Sequence, residues 1–327
     1  MNVVVAGSLG YDYIMDFPGR FSDRIMPDNI HKISLSFLVD KLNKNFGGTA
    51  GNIAYNLKLL GINPLILSSA GNDFSPYKKY LQKLGIDTNY ISVFKEVTTG
   101  SYFCVTDRED NQIGAFYAGA AAFDEKLSIG TVGDTISFAI IAPTSPAAMK
   151  KFVGQCQKGR VPYLYDPAFQ IGSFSKEELI AGISQAAILI GNDYEIDLIQ
   201  QKTGFTKKQM LNKVPIVVTT LGSKGSVIES NAPSPPLHKR GKGELVTQIF
   251  IKPAKPKNTS DPTGAGDAYR AGFLAGFLRG FDLKTCGQMG SVAAVYTVEK
   301  YGTQTHKYSI QAFYQRYYFN YKQKLLL

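Results

Sequence analysis

Several short runs of apolar residues, each halted by a polar or glycine-rich stretch, constrain the fold of this 327-residue chain most. Val3 to Ala6 is apolar throughout and β-branched for three residues. The run opening at Pro64, then Ile136 to Ala142, Val161 to Tyr165 and Ala187 to Gly191, repeat the pattern. A strand that is apolar at every position, rather than at alternate ones, must be covered on both faces, as in a parallel sheet layered between helices. Tyr77 to Leu84 reads as an amphipathic helix between such strands. Strand and helix in alternation predict an α/β fold: a doubly wound three-layer sandwich. Polar residues gather where the runs end: Asp12 after the first, Thr144, Asp166, Asn192 and Glu195 after later ones. Ligands of open α/β sheets bind along that edge.

Two interruptions break the alternation. Residues 13–46 lack a helical period, and Ile33 to Val39 is apolar at alternate positions, the mark of a half-exposed strand. Gly100 to Thr106 and Gln112 to Tyr117 flank a turn-rich tip at residues 107–111, as in a hairpin. Together they predict a small β-sheet lid, residues 13–46 and 98–117, on a large domain of residues 1–12, 47–97 and 118–327. Phe103 and Phe116 on the hairpin are candidates to stack on a planar base. Strand register leaves open whether Phe103 or its neighbour Tyr102 faces a ligand.

Two glycine-rich stretches carry chemistry. Asp261-Pro262-Thr263-Gly264-Ala265-Gly266-Asp267 reads as a loop turning into a helix. Gly264, Ala265 and Gly266 let a ligand approach backbone N–H groups at a helix N-terminus, where unpaired donors and the dipole favour an anion. A carboxylate there, Asp267, is unfavourable for anion binding alone. It makes sense when a hydroxyl must lose a proton beside a phosphoryl group taking on charge. Gly47-Gly48-Thr49-Ala50-Gly51-Asn52 opens a helix with an apolar stripe at Ile53, Leu57 and Leu60, closed by Gly61. Its glycines suit a hydroxylated ligand lying on backbone, and Asn52 both donates and accepts.

These two stretches resemble the C-terminal and N-terminal signatures of the ribokinase-like (PfkB) carbohydrate and nucleoside kinases. The similarity runs from Asp12 to about Gly302, and residues 36–42 resemble the bacterial adenosine-kinase branch. It implies Asp267 as catalytic base and Gly264, Ala265 and Gly266 as anion hole. It implies Asp12, Gly48 and Asn52 as sugar ligands, and lid aromatics such as Phe103 and Phe116 as base contacts. Asn192 and Glu195 match the family's Asn-x-x-Glu motif, which implies Mg²⁺ organised by Glu195 through water, although the same pair fits a helix capping box. Asn192, Thr220, Gly222 and the helix around Ala293 are implied as ATP contacts. Gly302-Thr303-Gln304, with Asp261 and Thr263, resembles a loop pair bordering a monovalent-cation site, implying K⁺. Ribokinases carry Lys where this chain has Thr49, which argues against free ribose. The expected activity is ATP-dependent phosphorylation of a nucleoside 5′-hydroxyl, adenosine foremost, with a ribokinase- or fructokinase-type sugar kinase as the alternative.

Composition excludes other classes. No G-x-x-x-x-G-K-[ST] is present, and Gly7-Ser8-Leu9-Gly10 is not a dinucleotide fingerprint. A net charge of +10 suits attraction of a polyanion such as ATP. Without a nucleic-acid motif, the scattered basic residues read as a solvated surface. Three Cys without metal spacing fit reduced thiols in a cytoplasmic protein. No apolar run approaches the roughly 20 residues that span a bilayer. The N-terminus reads as a strand rather than a signal peptide, residues 230–243 as a surface loop, and residues 312–321 as a closing helix. Monomer and homodimer both remain open.

Overall fold

A computed structural model describes residues 2–109, 111–133, 136–231 and 247–325. The elements run β1 (Asn2–Ala6), β2 (Gly10–Asp16), β3 (Lys41–Gly47), α1 (Thr49–Leu59), β4 (Asn63–Ala70), α2 (Ser75–Lys83), β5 (Ile91–Val93), β6 (Gly100–Thr106) and β7 (Gln112–Tyr117). There follow β8 (Ile136–Ile141), α3 (Pro146–Gly159), β9 (Tyr163–Tyr165), α4 (Lys176–Ile183), β10 (Ile188–Asn192), α5 (Asp193–Thr203), α6 (Lys207–Leu211), β11 (Ile216–Thr220) and β12 (Ser226–Ser230). The last are β13 (Thr247–Ile251), α7 (Ala265–Leu278), α8 (Leu283–Val298) and α9 (Ile310–Tyr321).

The large sheet has the order β13-β12-β11-β10-β9-β8-β1-β4-β5. Its pairs are parallel except those that β12 makes with β11 and β13. The continuous apolar runs behave as buried strands should. Val3 and Val5 enter a core with α1, α7 and α8, while Val4 and Ala6 enter a second core with α3, α4 and α5 on the opposite face. This is the doubly wound sandwich expected.

Helices α7 and α8 meet closely. A side chain on Gly272 would lie 2.6 Å from the Met289 carbonyl, so the small residues of α7 are what admit α8. Ala293 is fully buried in that contact, against Gly272. Its methyl therefore packs helix on helix, which corrects its assignment to ATP.

A second sheet has the order β3-β2-β6-β7. Its strand next to β2 is residues 41–47, not 33–39 as alternation suggested. Residues 33–39 form no ladder. Phe37 packs against Phe17 and Phe21 while Leu38 is 86% exposed, so the alternation reflects one anchored ring rather than a pleat. A division after Asp12 falls inside β2. The stretch 230–243 lies, from 232 on, outside the described residues.

Register settles which side chains share a face. Asp12 pairs with Asn45 and Tyr102, and Tyr102 with Phe116. Tyr13 pairs with Lys44 and Phe103. Side chains alternate across a strand, so Asp12, Asn45, Tyr102 and Phe116 line one face and Phe103 the other.

Candidate active site

The first turn of α7 is held from its own loop. Gly264 caps the helix in a left-handed conformation, φ 77°. Asp261 accepts from Thr263 N at 2.9 Å and from Gly302 N at 3.0 Å, tying the loop to the segment after α8. Ala265 N–H turns back to the Pro262 carbonyl at 3.2 Å. No protein acceptor among the described residues takes the Gly264 or Gly266 N–H, so those two amides remain for an anion.

Asp267 lies in that first turn, buried. Asn52 Nδ2, from α1, donates to its Oδ2 at 2.9 Å. Asn52 Oδ1 accepts from Gln304 Nε2 at 3.0 Å; Gln304 also donates to the Tyr77 hydroxyl at 2.6 Å, and Tyr77 donates to the Gly47 carbonyl at 2.9 Å. Asn52 is thus engaged at both ends of its amide and holds Asp267, a role sequence did not indicate. Burial raises the Asp267 carboxyl to about 6, opposed by the Arg270 charge and the Asn52 bond.

Asp12 enters the same cleft from β2. Thr303 Oγ1 lies 3.2 Å from Asp12 Oδ2 and 2.9 Å from the Phe46 carbonyl, its one hydroxyl hydrogen serving these two acceptors. The methyl of Thr303 lies against Gly264, so one residue joins the Asp12 side to the α7 side. Burial raises Asp12 to about 7, with the Thr303 bond opposing and the charges of Asp267 and Asp261 adding. A side chain at 47 would lie 2.1 Å from Asp12 Oδ2, so the carboxylate holds its place only while position 47 is glycine. Gly48 caps α1. Asn45, beside Asp12, has a buried Nδ2 without a partner among the described residues, a ready donor that sequence reading overlooked. Thr49 Oγ1 lies 3.2 Å from Ser8 Oγ and 3.3 Å from the Pro143 carbonyl.

Phe116 faces this cleft, 6.0 Å between centroids from Phe169, which follows Asp166 at the carboxyl end of β9. The Phe169 loop is braced by Gln170 to the Thr144 carbonyl (2.7 Å) and by Lys202 to the carbonyls of Ile171, Gly172 and Phe174 (2.9, 2.9 and 2.7 Å). Phe103 instead stacks on Tyr13 on the outer face, centroids 4.8 Å apart. Its assignment to the ligand is corrected: register turned it away and put Tyr102 inward.

On the other flank, Asn192 and Thr220 are neighbours at the ends of β10 and β11. Asn192 and Glu195 form a reciprocal capping box, both bonds 2.8 Å. Glu195 is raised by burial and then by the Asp166 charge. Gly222 opens the turn after β11, with nothing near where a side chain would stand. Among the described residues no three metal-ligating side chains cluster. The Glu195, Asp166 and Asp267 carboxylates lie close enough to feel one another's charge.

Sequence reading also passed over Arg270, one turn beyond Asp267. Its Nη2 donates to Asp166 Oδ1 at 2.9 Å, and its Nε pairs with Asp166 Oδ2. The only signal was position, three residues after the candidate base.

The profile of the pfkB family carbohydrate kinase matches residues 10–309. The chain therefore belongs to the pfkB family of carbohydrate kinases. It is 33% identical to a nucleoside kinase of Methanocaldococcus jannaschii, over 83% of this chain and 85% of that protein. It is 29% identical to a nucleoside kinase of Methanothermobacter thermautotrophicus, over 93% and 92%. The nucleoside kinase of Burkholderia thailandensis, solved with inosine, superposes with a TM-score of 0.88 at 30% identity, covering 98% of this chain and 99% of that one. It has also been solved with ADP-inosine.

Proposed function

We propose that this protein is a nucleoside kinase. It transfers the terminal phosphoryl group of ATP to the 5′-hydroxyl of a nucleoside, with adenosine the preferred acceptor that its resemblance suggests. The observation that carries this reading is the contact between Asn52 and Asp267 in the cleft that Asp12 also enters. A base, an orienting amide and a diol ligand meet where the amides of α7 await negative charge.

Asp12 accepts from the ribose 2′- and 3′-hydroxyls, and Asn45 donates beside it. Phe116, Phe169 and Tyr102 hold the base, which favours a nucleoside over a bare sugar. Held by Asn52, Asp267 takes the 5′-hydroxyl proton, and the Gly264 and Gly266 amides bind the phosphoryl oxygens. Bound Mg²⁺, reached by Glu195 through water, would neutralise the polyphosphate. Asn192, Thr220 and Gly222 rim the ATP side. The buried Thr263 Oγ1 beside Asp261, without a partner among the described residues, supports a place for a monovalent cation between the two loops.

ADP release in the presence of ATP and Mg²⁺ tests the reading on a panel of adenosine, inosine, cytidine, ribose and fructose. Turnover is expected with nucleosides, adenosine first. Turnover with ribose or fructose and no nucleoside would favour the sugar-kinase alternative, and turnover with none would defeat the assignment.

A further inference from the structure

The mechanism above leaves Arg270 unused. Arg270 is 8% exposed, and its partner Asp166, at the end of β9, is 1% exposed. Asp166 lies along one edge of the guanidinium: its Oδ1 accepts from Nη2, and its Oδ2 sits in ion-pair contact with Nε, whose N–H makes no aligned hydrogen bond. The third nitrogen, Nη1, lies over Gly266, 2.7 Å from where a side chain at that position would begin. Glycine at 266 therefore makes room for a guanidinium lying against the first turn of α7, beside the amides already placed there. Three carboxylates surround it: Asp166 in contact, Asp267 and Glu195 through their fields.

Stability alone explains this poorly. A buried ion pair is often no better than two well-packed apolar side chains, because desolvation offsets the attraction. A planar cation clamped along one edge and left open along the other is preorganised for an incoming anion. We propose that Arg270 is a catalytic residue, with Nη1 donating to the phosphoryl group as it passes the Gly264 and Gly266 amides, and Asp166 fixing the guanidinium plane. This rests on the phosphoryl-transfer reading. In that step the 5′-oxygen forms a bond to phosphorus as its proton passes to Asp267. The bond from phosphorus to the bridging oxygen breaks, and its electron pair leaves on ADP. Arg270 keeps all its protons and supplies only hydrogen bonds and charge.

The test compares the wild type with Arg270→Lys and with the charge-neutral double variant Asp166→Asn/Arg270→Met. Each is assayed for kcat, nucleoside KM, affinity for a non-hydrolysable ATP analogue, and affinity for ADP–aluminium fluoride in the presence of nucleoside. A donor used only in the transition state is expected to lower kcat about 10²- to 10³-fold when removed. Affinity for the fluoride complex should fall in parallel, while nucleoside KM and analogue affinity stay within about threefold. Arg270→Lys, which keeps the charge but not the fork, should fall between. A folded double variant with kcat within threefold of wild type overturns the proposal, as does equal loss of fluoride complex and analogue. Should the double variant not fold, Arg270→Lys decides: an unchanged ratio of fluoride-complex to analogue affinity overturns it. A wild type inactive on every acceptor would instead defeat the phosphoryl-transfer reading itself.

Discussion

Replacing Asp267 with Asn separates its chemical role from its structural one. The amide still accepts from Asn52 Nδ2, so the local geometry should survive. It cannot take a proton from a hydroxyl. Losing a general base costs about 10²- to 10⁴-fold, or about 3 to 5 kcal/mol of transition-state stabilisation. Nucleoside KM should change little. Stability should move the opposite way. Burial raises this carboxyl from 3.8 to about 6, so the folded state binds more protons than the unfolded one between those values. Stability from this group is therefore full below pH 3.8 and lost as pH rises through about 6. That difference corresponds to about 3 kcal/mol at neutral pH, and about half of it at pH 5. Asp267→Asn should thus melt higher than wild type by roughly 5 °C at pH 7.5, with a smaller gap at pH 5. Wild-type kcat should itself fall as pH drops through about 6, where Asp267 becomes protonated. Steady-state kinetics and thermal melts at both pH values read all of this. A variant that retains kcat within tenfold of wild type would refute the base assignment. A melting gap independent of pH would refute the burial reasoning.

Asp12→Asn should lower kcat/KM for the nucleoside about 10- to 100-fold at pH 8, the worth of a hydrogen bond to a charged acceptor. It should also abolish a wild-type rise in kcat/KM through about pH 7, where Asp12 ionises. Phe116→Ala should raise nucleoside KM by about 1 to 3 kcal/mol of lost stacking, while Phe103→Ala leaves it within about twofold. Equal effects would contradict the assignment of faces. In Gly47→Ala the new methyl, 2.1 Å from Asp12 Oδ2, must push the carboxylate aside. Urea unfolding should show a loss of about 1 to 3 kcal/mol, and nucleoside affinity should fall with it.

Much of the fold was legible because its determinants are local. Apolar runs without alternation announced strands covered on both faces, and β1 divides Val3 and Val5 from Val4 and Ala6 between two cores. The two glycine-rich helix starts were equally legible, since a capping glycine and a first-turn carboxylate are set by neighbouring residues. Alternation at 33–39 misled because Ile33 and Leu35 stay exposed and only Phe37 is anchored, so the period marked neither a buried face nor a ladder partner. Nothing local showed that Ala293 is spent on packing against Gly272 of α7.

What tertiary structure alone decided is who meets whom. Asn52 and Asp267 lie 215 residues apart, and nothing in either stretch marks one as the other's partner. The pairing of β6 with β2 turned Tyr102 inward and Phe103 outward, a choice that a shift of one residue would reverse. Arg270 became visible only once β9 brought Asp166 to it and Gly266 left the space above the helix open. The sequence by itself determined elements and their chemistry, because backbone preference and burial pattern act over a few residues. The cleft was decided by packing and register, which bring distant side chains within hydrogen-bonding distance and leave no trace in local order.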